Sequence, residues 1–447
     1  MIPFFPEEGY VESNSGQGAG PARTVYGHDG REAYPRSRRK AYGMRAAVLA
    51  AAFLPTACSN PASSSPSTSA VATASAAYEQ DGGTVAETGK SYAAASSDES
   101  VLMVYDGGAY SLTGNSGSDF AQLRKSGGDS TSTDDSNFYG LNAIVLAKGG
   151  GAISLRYCAL GSSAEGANGA FAYGSGSSVT LKDCTIATTG DSSRGVDATY
   201  GGAVTISDST IATQGAHCAA LASDRYDGTA PKVTATNVSG TTSGDGSPGI
   251  YCTGTFAVTG CTLSASGSEA AAIEGKNSIT VTDSALTGSR KWGVIIYQST
   301  SGDSATGTGT FSMTGGTLTN KSSGPVFMVC DTAAVINLDS VTIDNAGGSG
   351  LLLRATSASS GDDNINSSWG SLGGTVTLNA TNQTLTGAIT RYSTASNITL
   401  NLKSGSIWTL TADSTVDTLT VEAGAVINKN GHTLTVTTLA NNGTIRD

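Results

Sequence analysis

Apolar and polar residues alternate in short runs along most of the chain after residue 78, as in Val179-Thr180-Leu181-Lys182 and Ile279-Thr280-Val281-Thr282. Period-2 alternation marks strands with one buried face and one outer face. These runs end in a recurring signature: Arg156-Tyr157-Cys158-Ala159-Leu160, Lys182-Asp183-Cys184-Thr185-Ile186, Ser207-Asp208-Ser209-Thr210-Ile211, Thr259-Gly260-Cys261-Thr262-Leu263, Thr282-Asp283-Ser284-Ala285-Leu286, Thr314-Gly315-Gly316-Thr317-Leu318 and Leu338-Asp339-Ser340-Val341-Thr342-Ile343. The third residues lie at 158, 184, 209, 261, 284, 316 and 340. The one double-length gap hides a degenerate copy near Val233 to Ser239, so the repeat is about 26 residues. A polar glycine turn follows each copy, then a second short strand: Gly195-Val-Asp-Ala, Gly249-Ile-Tyr-Cys, Ala272-Ile-Glu-Gly, Gly293-Val-Ile-Ile, Gly350-Leu-Leu-Leu.

Two or three strands per repeat, separated by Gly, Ser, Asn and Asp turns, make one rung of a right-handed, single-stranded parallel β-helix. A rung cannot bury its inner face alone, so rungs must stack. Residues 78–371 are expected to form the main helix, and 372–447, with shorter turns, a narrower terminal section or cap. Together they hold about 14 rungs, with hardly any α-helix and no need of a second copy.

Composition supports this all-β reading. Glycine accounts for 59 of 447 residues, charged residues for 14% and aromatics for 6%. So few large side chains cannot fill several compact cores, and Gly, Ser, Thr and Asn are poor helix formers. The formal charge of −11 argues against nucleic acid, which needs clustered Lys and Arg.

Residues 1–57 read as an N-terminal extension plus signal peptide. Arg36-Ser37-Arg38-Arg39-Lys40 precedes Met44-Arg45, and an Ala-rich apolar run of about 12 residues leads to Cys58. Met44 is an alternative start. Leu54-Pro55-Thr56-Ala57-Cys58 is similar to a bacterial lipobox, although Pro55 holds the usual aliphatic place. Cys58 is then the acylated first residue. Residues 58–77, rich in Ser, Pro, Thr and Ala, read as a flexible tether. This points to a protein lipid-anchored to the cell surface, touching membrane only through its lipid.

The repeat as a whole resembles the pectin-lyase-like right-handed β-helix superfamily. SGDGSPGIY (243–251), GSEAAAIEGKNSI (267–279) and YQSTSGDS (297–304) further resemble the adhesin-like β-helix proteins and lipoproteins of gut bacteria. The resemblance implies the fold; it does not fix an activity, because the superfamily carries lyases, hydrolases and adhesins alike.

Catalytic constellations are sparse. His217 and His432, well separated in sequence, read as turn or surface residues. Gly361-Asp362-Asp363-Asn364 is similar to the paired aspartates of polygalacturonases, but that family's Asn-Thr-Asp, His-Gly and Arg-Ile-Lys motifs are missing. It therefore reads as a solvated loop. No cofactor or metal set is indicated; Ca²⁺ is compatible with the acidic surface but has no evident ligands.

The site expected from stacking lies on the second strands. With Ile250, Ile273, Val294 and Leu351 inward, Tyr251 and Glu274 share one outward column, and Thr253, Lys276, Tyr297 and Arg354 the next. Glu269, Gln298, Asp245 and Asp303 fall in adjoining turns. Tyr251, Glu274, Lys276, Tyr297, Gln298 and Asp303 form the expected ligand-binding set, with aromatic faces and carboxylates suited to a sugar. Cys158, Cys184, Cys261 and Cys252 are expected to point inward as a buried ladder, and stacking would bring Cys158 and Cys184 within disulfide reach. The function expected is a non-catalytic, adhesin-like module binding a polysaccharide or host glycan. The alternatives are a polysaccharide lyase or glycoside hydrolase, and a structural spacer.

Overall fold

The second residue of most repeat copies has to turn a tight corner; in the last copy Ser340, the third, does so. Asp183, Asp208, Asn237, Gly260, Asp283 and Gly315 all take positive φ, between 46° and 64°. Only Gly, Asn and Asp enter this left-handed region readily, and this accounts for their recurrence there. The third residue points inward just past the corner. Ser209 Oγ accepts from Cys184 N (2.9 Å) and Ser284 Oγ from Cys261 N (3.0 Å). Cys and Ser therefore alternate at a place that wants a small side chain near backbone polar groups.

These corners join strands into three long parallel sheets in a computed structural model, which describes residues 74–117, 119–225, 228–360, 365 and 369–447. Cys58, the extension at 1–57, the lipobox, most of the tether and Gly361-Asp362-Asp363-Asn364 lie outside the described residues. The first sheet has 12 strands, the second 14 and the third 10, and successive rungs contribute in turn to each until the C-terminal section. A 4-stranded sheet continues the third face at the C-terminal end. The 14 strands of the second sheet correspond to the 14 rungs expected.

Stacking is in register. One inward ladder on the second sheet runs Ile153, Val179, Val204, Val233, Phe256, Ile279, Phe311, Ile336, Leu378, Leu400 and Leu419. With Ile186, Leu263, Ile273, Val294 and Phe327 from the other faces it forms one continuous core. The degenerate copy takes its place, since Ser239 pairs with Thr210 and Thr262. In the C-terminal section Thr399 pairs with Thr418 and Thr418 with Thr438, so the rung shortens to 19 and 20 residues.

One expectation, where the stack begins, needs correction. Stacking begins inside the stretch read as tether, because Ser75–Asp81 is a strand paired with Glu99–Tyr105. Its leading Ser-Ala-Ala carries no large apolar residue, so alternation is invisible there. Cys158, Cys184, Cys252 and Cys261 are buried, as the inward ladder predicts; no disulfide joins Cys158 to Cys184, and each corner sulfur also faces a nearby carbonyl, Cys184 with Lys182 O at 3.2 Å. A seven-residue helix, α1 (Thr133–Tyr139), is capped by Ser132 and closed by Gly140 at φ 74°. Ser132 followed by Asp134 and Asp135 is a helix start that the surrounding β-pattern obscured.

Candidate functional site: a pocket on the first sheet

The first-sheet strands from Val196 to Cys330 are buried on both faces, whereas second-sheet strands keep an exposed outer face. Their sequences reflect this: Val294-Ile-Ile-Tyr and Phe327-Met-Val-Cys are continuous apolar runs rather than alternating ones. What covers the outer face is a second apolar cluster of Ala272, Trp292, Ile295, Tyr297, Met328, Cys330 and Ala358, with Tyr251 and Trp369 against it.

Register decides which outward residues meet. Tyr251 stacks on Ala272, which stacks on Ile295. Glu274 stacks on Tyr297, which stacks on Cys330. The expected columns were thus two residues out of register. Tyr251 and Glu274 still meet, because tyrosine reaches diagonally across the sheet.

Glu274 is the centre of one half of the site. Its carboxylate accepts from Tyr251 and Tyr297 (both 3.1 Å), from Ser301 (3.1 Å) and from Ser299. Expected to face solvent, it is only 2% exposed. The reason is the 298–307 turn, which folds back over the sheet, together with Trp369, whose ring stacks on Tyr297 at 4.4 Å. Burial raises both tyrosine hydroxyls well above their ordinary pKa, so they stay hydrogen-bond donors.

The other half is ionic and was not anticipated. Arg194, in the turn before Val196–Thr199, lies between Asp197 (2.7 Å) and Asp224 (2.7 Å) from successive rungs. Asp197 and Asp224 are 0% and 3% exposed. Burial pushes both carboxyls above the usual range, with Arg194 opposing the shift. Glu269 is buried too and raised by the same cause; Ser268 Oγ donates to it at 2.8 Å. Helix α1 closes this end: Thr199 donates to Phe138 O (2.9 Å), and the Arg225 guanidinium lies 3.9 Å above the Phe138 ring.

Between the halves lies a cavity of about 500 Å³, lined among others by Asp224, Tyr251, Glu269, Trp292, Tyr297 and Asp303. A second hollow of about 320 Å³ adjoins it around Glu274 and shares Tyr251, Tyr297, Asp303 and Trp369. Of the expected set, Tyr251, Glu274, Tyr297 and Asp303 come together, with Asp303 ion-paired to Arg225 (3.1 Å). Lys276 does not; it is exposed in the turn after its strand. Gln298 stays outside as well, its amide donating to Ser299 O (3.2 Å). Glu269 lines the cavity, while Asp245 pairs with Arg290 in solvent and Arg354 lies over Tyr392. His217 is an exposed turn residue at the rim, and His432 is a half-buried turn residue elsewhere. No three His, Cys, Asp or Glu side chains form a metal-binding group among the described residues.

Arg194, Asp197, Asp224, Trp292 and Trp369 were missed. Gly195-Val-Asp-Ala did carry a signal: an aspartate in the middle of a short strand next to an arginine, in a chain this poor in charge.

Residues 126–311 match the family described as right handed beta helix region. With the all-parallel stacked sheets, this makes the fold a right-handed parallel β-helix of pectin-lyase-like type. No curated protein and no solved structure matches the chain. The pocket lies on strands within the matched region, and Trp369 reaches it from outside.

Proposed function

We propose that the protein is an exported, lipid-anchored surface β-helix that binds a glycan in the first-sheet pocket, as an adhesin-like module. The supporting observation is the cavity of about 500 Å³, whose wall combines Trp292, Tyr251, Tyr297 and Trp369 with buried carboxylates. Aromatic faces suit the apolar face of a sugar ring, and carboxylates accept from its hydroxyls. A purely structural spacer has no use for such a pocket, since buried charge is costly to keep. Export and anchoring rest on the leader and Cys58.

The test is a glycan-array screen of the purified protein, followed by calorimetry. Tyr297→Ala should weaken binding at least tenfold, and Lys276→Ala should bind as wild type. Equal affinity of both variants with wild type would place the site elsewhere.

One observation favours a second reading, polysaccharide cleavage. Asp224 and Glu269 hold their protons to higher pH than free carboxyls do, as a general acid must. New reducing or unsaturated ends from a bound polysaccharide would establish it; binding without either supports the adhesin.

A further inference from the structure

We infer that the pocket is selective for a saccharide bearing a free primary ammonium group, an amino sugar without its N-acyl cap. The inference rests on the glycan reading above and adds the chemistry of the ligand.

Ionised, the carboxyls in and around the cavity outnumber its cations, although burial raises Asp197, Asp224 and Glu269, so a cation that settles there draws their protons off. Asp224, Glu269 and Asp303 line it, Asp197 lies behind Arg194, and Glu274 faces the adjoining hollow. Against these five carboxylates stand two buried or half-buried cations, both already engaged. Arg194 bridges Asp197 and Asp224, and Arg225 pairs with Asp303. Lys291 is exposed at the rim, its ammonium 5.7 Å from the Trp292 ring centre, and His217 is exposed as well. The hydroxyl donors around Glu274 satisfy that group without cancelling its charge.

Acceptor capacity is also left over. Asp224 is 3% exposed and Arg194 engages only its Oδ2; Oδ1 accepts no hydrogen bond from a described residue. Glu269 is nine-tenths buried, and Ser268 is the one side chain that donates to it among the described residues. Asp303 Oδ1 is buried and, although it faces Arg225, makes no well-aligned hydrogen bond. An ammonium group brings three donors and one positive charge, which answers both deficits at once. Trp292, Tyr251, Tyr297 and Trp369 add aromatic faces, which attract a cation further. A uronate would bring like charge to a carboxylate-lined wall, which disfavours it. An N-acetyl group would remove the charge that the wall lacks.

The test extends the array screen with matched probes: each amino sugar beside its N-acetyl, hydroxyl and uronate counterparts. Titration calorimetry of the full chain then compares a glucosamine oligomer with its N-acetylated form. The expected result is at least tenfold tighter binding of the free amine and no binding of uronates. Glu269→Gln and Asp224→Asn should each cut that preference at least fivefold, read as the ratio of free-amine to N-acetyl affinity within each variant. Should Asp224→Asn fail to fold because Arg194 loses a partner, Glu269→Gln, which touches neither Arg194 nor Asp197, carries the test. Hits that bind equally with and without the amine overturn this inference and leave the glycan reading standing. An array with no hits overturns both. An amine preference that neither variant changes places the ammonium elsewhere and also overturns it.

Discussion

Arg194→Leu is the sharpest probe of the ionic half of the pocket. Leucine replaces the aliphatic stem but leaves Asp197 and Asp224, both nearly inaccessible, without the guanidinium now 2.7 Å from each. Breaking a buried pair by removing one partner typically costs about 3–5 kcal/mol. Here the cost must depend on pH. Both carboxyls have folded-state pKa values raised above those of the unfolded chain, so the native state binds more protons than the unfolded one. Stability therefore falls as pH rises from the unfolded value toward the folded one, by up to about 1.4 kcal/mol per unit for each carboxyl. Wild type shows part of this slope, because Arg194 opposes the rise of both carboxyls without cancelling it. Without Arg194 the folded values climb further. At pH 5 both groups are neutral and the loss should shrink to about 1–2 kcal/mol; at pH 8 it should reach about 3–5 kcal/mol. Urea unfolding followed by tryptophan fluorescence reads both, Trp292 lying in the pocket wall. A loss that is equal at the two pH values, or below about 1 kcal/mol at pH 8, would refute the argument.

Other outcomes follow from the same geometry. Glu274→Ala should destabilise by about 2–3 kcal/mol, because the buried Tyr297 hydroxyl loses its acceptor, and Glu274→Gln by about half as much; a change within about 0.5 kcal/mol, normal for an exposed residue, would mean the 298–307 turn does not cover it. Ile273→Asp puts an unpaired carboxylate into the core and should cost several kcal/mol more than Glu274→Ala in a denaturant midpoint. Cys58→Ala should release the protein from membranes in a cell-fractionation assay; unchanged partitioning would remove the lipid anchor from the proposal.

The fold was legible because its determinants are local and repeated. A corner residue that must take positive φ, a small inward residue after it and an alternating strand before it recur every ~26 residues. Asp183-Cys184, Asp208-Ser209 and Asp283-Ser284 each state this chemistry independently. The short helix was hidden because one seven-residue segment cannot compete with fourteen rungs of β-pattern.

The pocket was only half legible, and the physical reason lies in what alternation can and cannot tell. Alternation assigns a side chain to the inner or outer face, and it did so correctly for Tyr251, Ile273 and Glu274. It does not say whether the outer face is wet. That depends on distant segments folding back over the sheet, here the turn holding Ser299 and Ser301 together with Trp369 from seventy residues further on. Two features did record the covering. Val294-Ile-Ile-Tyr and Phe327-Met-Val-Cys fail to alternate, as strands buried on both faces must. Asp197 and Asp224 sit within strands where an exposed position would more often hold Thr or Ser in this chain. Read together, non-alternating strands and charges inside them mark the rungs where a β-helix has built something on its outside.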